Sequence, residues 1–259
     1  MTEGPATSVV RLSTSPGTLS LGGWCHIPSA YSAEILASAG FDWCCIDRQH
    51  GLADDAAMLG MIHALEGCRV PAVVRVASSA SETIGQALDW GAQAVIVPMV
   101  NSIDDARRAG AACRYPPDGC RSWGPSRLKL RGVHGPDDVP APMCLVMIET
   151  AAALAEVDQI ARLAQVGGLF VGPADLALAL GVGAESPQLD AASRRVAEAC
   201  REHGKLAGVF AGTRGIEQWV GRGFTWLAVD SDSTLLQRAA REAYHAARHS
   251  VAASAATRS

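Results

Sequence analysis

Two carboxylates, a histidine and an arginine carry the chemistry available to this chain, and each stands at the end of a short apolar run. Asp47-Arg48-Gln49-His50 follows Trp43–Ile46, Arg75 follows Ala72-Val73-Val74, Glu149 closes the run from Cys144, and Gly168–Val171 leads into Gly172-Pro173-Ala174-Asp175. Glu149 and Asp175 could give two hard oxygens to a divalent cation and leave positions for water and a chelating 2-oxo acid. As acids at first helical turns they could equally be caps. His50 has Asp47 three residues before it, and a carboxylate on one ring nitrogen would orient the ring and raise its basicity for general-base work; a lone histidine is otherwise structural. Arg75 projects from a buried strand and needs an anionic partner, either a substrate oxygen or a bracing Glu149 or Asp47. The Gly172-Pro173 turn before a helix start offers free amides to a carboxylate. Asp89 sits beside Trp90 at a helix C-terminus, where negative charge is disfavoured. It is a candidate partner for a histidine, in its own chain or across a subunit boundary.

Eight apolar, β-branched runs alternate with Ala-rich amphipathic segments: Leu19–Gly23, Trp43–Asp47, Ala72–Val76, Ala94–Pro98, Cys144–Glu149, Gly168–Val171, Leu206–Phe210 and Trp226–Val229. Such alternation in 259 residues predicts an α/β fold, a (β/α)8 TIM barrel whose chemistry lies at the C-terminal ends of its strands. Ser29 or Ser32 is expected to cap a helix over 33–39, Ser81 one over 82–90, and Pro187 to open one ending at His203, with Gly40, Gly91 and Gly204 as stops. The connection from Arg114 to Pro142 carries six prolines and four glycines. At that length it is expected to be an active-site loop or a subunit contact. The expected organisation is an N-terminal extension over 1–15, one barrel domain over 16–249 and a fraying tail over 250–259.

Lys plus Arg number 22 against 26 acids, a net charge of −4 without a basic cluster, which excludes a nucleic-acid footprint. No apolar run approaches the roughly 20 residues of a membrane span, so a soluble cytoplasmic protein is expected. The eight cysteines fall in strand-like and helical runs and are expected to be reduced core residues; the vicinal Cys44 and Cys45 face opposite sides of a strand. Only two lysines occur, Lys129 and Lys205, neither near mid-strand, which disfavours a Schiff-base mechanism. GxSxG and P-loop motifs are absent.

Taken together, Trp24…Ile27-Pro28-Ser29, Asp47–Gly51, Val74-Arg75, Leu88–Ala92, Val97–Val100, Tyr115–Arg121, Met147–Thr150 and Gly172–Leu176 resemble the HpcH/HpaI family of metal-dependent class II pyruvate aldolases, over residues 20 to 235. The resemblance implies a barrel of the phosphoenolpyruvate/pyruvate type with its last helix swapped between neighbours, assembled as a hexamer, a trimer of dimers. It implies Glu149 and Asp175 as ligands of Mg2+, Mn2+ or Co2+, His50 as the acid/base acting directly or through a water, and Arg75 on the enolate and keto oxygens. Asp47 and Asp89 match acids that support the histidine, and Gly172, Pro173, Ala174 and Asp175 the pyruvate-carboxylate site, with Trp24 and the positions of Gln49 and Met147 beside the substrate. Gln49 stands where many members have Glu, and Met147 where many have Gln. Arg121-Ser122-Trp123-Gly124-Pro125, together with Gln49-His50-Gly51, resembles a hydroxy-oxo-acid aldolase subgroup.

The implied reaction is reversible cleavage of a 4-hydroxy-2-oxo acid to pyruvate, or an analogue such as hydroxypyruvate, plus an aldehyde through a metal-stabilised enolate. The alternatives are an oxaloacetate decarboxylase or synthase using the same enolate, and a barrel that binds oxo acids without catalysis.

Overall fold

Short runs that are apolar on both faces satisfy themselves in a sheet covered on both sides, and all eight form strands: β1 (Ser20–Cys25), β2 (Trp43–Asp47), β3 (Ala72–Arg75), β4 (Ala94–Val97), β5 (Met143–Ile148), β6 (Gly168–Val171), β7 (Leu206–Phe210) and β8 (Trp226–Ser231). The structure is a computed structural model that describes residues 12–256 apart from 14, 16, 125, 131, 140 and 214. Every neighbouring pair is parallel, and β8 pairs back onto β1, closing the barrel. The helices are α1 (Ala30–Ser38), α2 (Asp55–Gly67), α3 (Ser81–Asp89), α4 (Ile103–Ala112), α5 (Ser126–Lys129), α6 (Ala151–Ala155), α7 (Val157–Ala161), α8 (Pro173–Leu180), α9 (Pro187–Glu202), α10 (Ile216–Gly221) and α11 (Asp232–Ala256).

Alternate strand residues fill the barrel: Trp24, Trp43, Cys45, Val73, Ile96, Leu145, Met147, Phe170 and Trp226 form one buried cluster inside it. Trp43 and Trp226 stack there with ring centroids 3.7 Å apart, so the interior is a packed core. The intervening residues, among them Cys44, Ile46, Val74 and Val146, pack outward against the helices. Cys44 and Cys45 thus divide between the two layers.

Several expectations need correction. β1 runs two residues beyond Gly23, to Cys25. Ser29 caps α1, accepting from the Ser32 amide, but Ser81 is the first residue of α3 rather than its cap; Ala80 stands at that position without a side-chain bond. Ser186 caps α9 ahead of Pro187. All eight cysteines are free, yet Cys68 and Cys120 lie at the surface. Of the segment expected as an extension, residues 1–11 and 14 lie outside the described residues, whereas Leu12 is buried against the inner cluster and its amide donates to Gln93 Oε1 at 2.8 Å. The segment expected to fray from Ser250 is helical to Ala256, and 257–259 lie outside the described residues.

The Arg114–Pro142 connection links the end of α4 to the start of β5, so it emerges at the N-terminal face of the barrel, away from the strand ends where the acids and Arg75 lie. Arg127 in α5 pairs with Glu66 and the Trp90 carbonyl at that face. Its described contacts, through Arg121 and Arg127, lie at that face and not at the mouth of its own barrel. Pro125, Arg131 and Pro140 of this connection lie outside the described residues.

Candidate active site

Strand side chains alternate with a period of two, so each inward residue is followed two positions later by the next one on the same face. Continuing that phase from Trp24, Cys45, Val73, Met147, Phe170 and Ala228 leads to His26, Asp47, Arg75, Glu149, Gly172 and Asp230. These residues ring the C-terminal mouth. Three were anticipated from polar residues at run ends. His26 was missed because the first run was ended at Gly23, and the same rule applied at Cys25 finds it.

Asp47 is the hub and is fully buried. Its Oδ1 accepts from Arg75 Nε (2.9 Å) and from the Gln49 and His50 amides (3.0 and 3.1 Å), and its Oδ2 from Arg75 Nη2 (2.5 Å) and Trp24 Nε1 (3.1 Å). His26 Nε2 also lies 3.0 Å from Oδ2. Burial by itself would push this carboxyl up, but His26 and Arg75 hold it well below the usual carboxylate range. Asp47 therefore grips the His50 backbone and the His26 ring rather than the His50 ring. The three-residue spacing forms a turn in which the carboxylate reaches the amide of the third residue, which the local sequence permits as readily as a ring contact.

Arg75 is buried, with its guanidinium 5.2 Å above the Trp24 ring. Nε and Nη2 are taken by Asp47, and among the described residues Nη1 has no partner. Of the two bracing acids considered for Arg75, Asp47 is the one it meets. Trp24 is likewise buried, supporting Arg75 and Asp47 from below instead of lining an open substrate space.

Glu149 is 2% exposed, and its Oε1 accepts the Met99 amide at 2.6 Å. Met99 adopts φ 56°, a left-handed conformation that turns this N–H toward the mouth. Burial raises the Glu149 pKa against the Met99 hydrogen bond; the charge of Asp175 raises it further, while Arg75 and His50 pull it down. All four groups thus lie within one electrostatic neighbourhood. A Cβ at Gly172 would stand 2.9 Å from Glu149 Oε2 and 3.0 Å from Met147 Cε, so glycine leaves that oxygen its room. Asp175 is exposed in the first turn of α8, whose N-cap Gly172 has no side-chain bond, with Pro173 next. The His50 ring is exposed and makes no hydrogen bond among the described residues, and Gln49 Oε1 beside it is buried without a partner.

Asp89 does not join this group. It ends α3 at the opposite face and pairs with buried Arg121 (2.5 Å), whose guanidinium lies 4.6 Å over Tyr115. A helix that returns from strand end to strand start carries its last residue to the far side of the barrel. The lysines are no better placed for an imine: Lys129 is exposed in α5, and Lys205 Nζ donates to the Leu163 and Val166 carbonyls at 2.9 and 2.7 Å.

Glu149 Oε2 and the Asp175 carboxylate have no protein partner among the described residues, and no third His, Cys, Asp or Glu completes a cluster there. Two hard anionic oxygens with the remaining positions open suit a divalent cation that shares its shell with water and an oxo acid.

A closed (β/α)8 barrel with an anchored arginine, an open acid pair and a free histidine at its mouth defines a barrel lyase. The chain belongs to the HpcH/HpaI aldolase/citrate lyase family, whose pattern matches residues 21–239. It is 36% identical over 232 residues to a 4-hydroxy-2-oxovalerate aldolase of Rhodococcus jostii (strain RHA1), covering 86% of this chain and 89% of the relative. It is 37% identical over 232 residues to a 4-hydroxy-2-oxo-heptane-1,7-dioate aldolase of Escherichia coli (strain ATCC 8739), covering 86% and 88%. The crystal structure of an HpcH/HpaI aldolase/citrate lyase family protein from Burkholderia cenocepacia J2315 superposes with a TM-score of 0.81 at 31% identity, covering 93% of this chain and 98% of the other. No helix among the described residues is long and apolar enough to cross a membrane.

Proposed function

We propose that the chain is a carbon–carbon lyase that cleaves a 4-hydroxy-2-oxo acid to pyruvate, or a close analogue, and an aldehyde, and that also runs in reverse. What supports this reading is that Glu149 and Asp175, whose carboxylates influence each other electrostatically, stand at the strand ends where the Asp47-anchored Arg75 also acts on Glu149. Its relatives are named for 4-hydroxy-2-oxo acid aldolases, which supports the same reaction class. Glu149 and Asp175 would hold a divalent cation, which when bound supplies Lewis-acid polarisation of the 2-oxo group. Arg75 directs Nη1 at the 2-oxo oxygen and stabilises the charge that gathers there as the enolate forms. The Ala174 and Asp175 amides at the start of α8 bind the acid's carboxylate. His50, directly or through a water, takes the 4-hydroxyl proton; the C3–C4 bond breaks, the aldehyde leaves, and the enolate is reprotonated at C3. Gln49 and Met147 stand beside this space with an amide and a thioether, neither of which is ionised.

Pyruvate release from 4-hydroxy-2-oxo acids is expected to need Mg2+, Mn2+ or Co2+ and to cease with EDTA. Release from oxaloacetate alone would favour decarboxylation. Failure to exchange pyruvate methyl protons with any of these ions would leave only a binding barrel, and full turnover in EDTA would remove the cation.

Assembly is part of this reading. From Leu236 to Ala252 α11 is exposed, including Leu236, Tyr244 and Val251, and a swapped helix in a hexamer built as a trimer of dimers would cover these side chains. Asp89 and the Arg114–Pro142 connection lie opposite their own mouth, so they would serve His50 of a second copy and help select the aldehyde there. Light scattering is expected to give six times the 26.9 kDa chain mass; a monomer would remove both roles.

A further inference from the structure

His26 is absorbed by none of the roles above, yet it contacts Asp47, the loop that carries His50 and the start of α11. Its Nε2 lies 3.0 Å from Asp47 Oδ2 and its Nδ1 3.2 Å from Ser233 Oγ, with the side chain 32% exposed at the mouth. An ionised carboxylate only accepts, so the proton sits on Nε2; in the neutral ring Nδ1 then accepts from the Ser233 hydroxyl. The backbone repeats the connection. His26 N–H donates to Asp232 Oδ1 at 2.8 Å, and Ile27 N–H and Ser32 Oγ reach the same carboxylate at 3.2 and 2.7 Å. The His26 carbonyl accepts the Leu52 amide at 3.0 Å, two residues past His50. Asp232 and Ser233 are the first two residues of α11, so one histidine joins the Arg75 anchor, the His50 loop and the seat of the C-terminal helix.

We infer that His26 is a positioning residue: through Nε2–H it orients the Asp47 carboxylate that aims Arg75, and through Nδ1 it makes that orientation depend on the seating of α11 at Ser233. The inference deepens the aldolase reading and rests on it for the role of Arg75. A carboxylate ringed by several donors can rotate among them, and Arg75 follows it because two of its nitrogens are bound there. Among the described residues, His26 is the one side-chain donor on Asp47 whose ring is also hydrogen-bonded to a distant part of the chain, at Ser233. Loss of Ser233 frees the ring, and loss of the ring frees the carboxylate.

The test compares His26→Phe, which keeps a ring but no donor, His26→Gln, whose amide restores an N–H near the Nε2 position, and Ser233→Ala, all as full-length metal-loaded enzyme. His26→Phe is expected to lower kcat about 10- to 100-fold, the range seen when supporting partners of a site are removed, with KM for the oxo acid changed much less. His26→Gln is expected to recover most of that loss, and Ser233→Ala to fall between wild type and His26→Phe. Crystal structures of the variants read the geometry itself: the Asp47 carboxylate and Arg75 guanidinium should move in His26→Phe and return in His26→Gln. The proposal is overturned if Asp47 and Arg75 stay in place in His26→Phe, or if the Gln variant is as slow as the Phe variant at equal melting temperature. If wild type itself cleaves no hydroxy-oxo acid, the aldolase reading falls, and the crystallographic comparison still decides the role of His26.

Discussion

Arg75→Ala is expected to lower turnover by at least about 10²-fold while leaving metal affinity near the wild-type value. The reasoning starts from the bidentate grip of Asp47, which holds Nε and Nη2, fixes the guanidinium over Trp24 and leaves Nη1 without a partner among the described residues. A donor held in place before the reaction stabilises developing charge without reorganising, so its removal is felt in kcat rather than in cation binding. The variant should also be less stable, by about 3 kcal/mol, because the buried Asp47 loses its cationic partner. The remaining donors, Trp24, His26 and two amides, keep that cost at the low end. Arg75→Lys should retain the charge but lose the two-pronged geometry, and so recover stability better than rate. Isothermal titration with Mn2+ beside steady-state kinetics separates the outcomes. Equal losses of rate and cation affinity would make Arg75 a brace and nothing more.

Glu149→Gln is expected to have the opposite signs for activity and stability. Turnover should fall about 10³-fold, corresponding to about 4 kcal/mol, since one of two anionic oxygens for the cation is neutralised. The metal-free variant should nevertheless be more stable than wild type at pH 7. Burial raises the Glu149 pKa in the folded chain, so the ionised form opposes folding. That cost is complete above the raised pKa, shrinks as pH falls through it, and vanishes below the unfolded value of about 4.3. Gln keeps an oxygen for the Met99 amide and carries no charge. Thermal melts of the metal-free proteins should therefore show a stabilised variant at pH 7 and convergence near pH 4. A variant that melts lower at pH 7, or one that retains turnover within tenfold, would show that Glu149 is a structural cap. A stabilising change that removes activity is what a site built on an incompletely compensated buried charge predicts.

How much of this site was legible varied residue by residue. Asp47, Arg75 and Glu149 could be read because strand alternation and an apolar run ending in a polar residue are local patterns, visible within five or six positions. His26 obeys the same pattern and was lost only to a strand boundary drawn two residues early, the least reliable part of any such reading. Asp175 and its Gly-Pro turn were legible as a helix start and remain there, exposed and open. Asp89 and the proline-rich connection were legible as unusual, and their contact with a second subunit is part of the proposed assembly. Their face followed from a simpler rule, that the connection into a strand lies at the N-terminal side of a barrel.

The sequence by itself determined the eight-stranded barrel, the inward phase of each strand and the family, because hydrophobic period, turn residues and motif order are properties of neighbouring positions. Only the tertiary structure decided which donors surround Asp47, that Arg75 meets it and Glu149 does not, and that His26 connects it to the first turn of a helix more than 200 residues away. Those choices depend on closing β8 onto β1 and on the depth at which each side chain enters the mouth. A buried carboxylate takes whatever donors that closure delivers, and no local spacing along the chain encodes them.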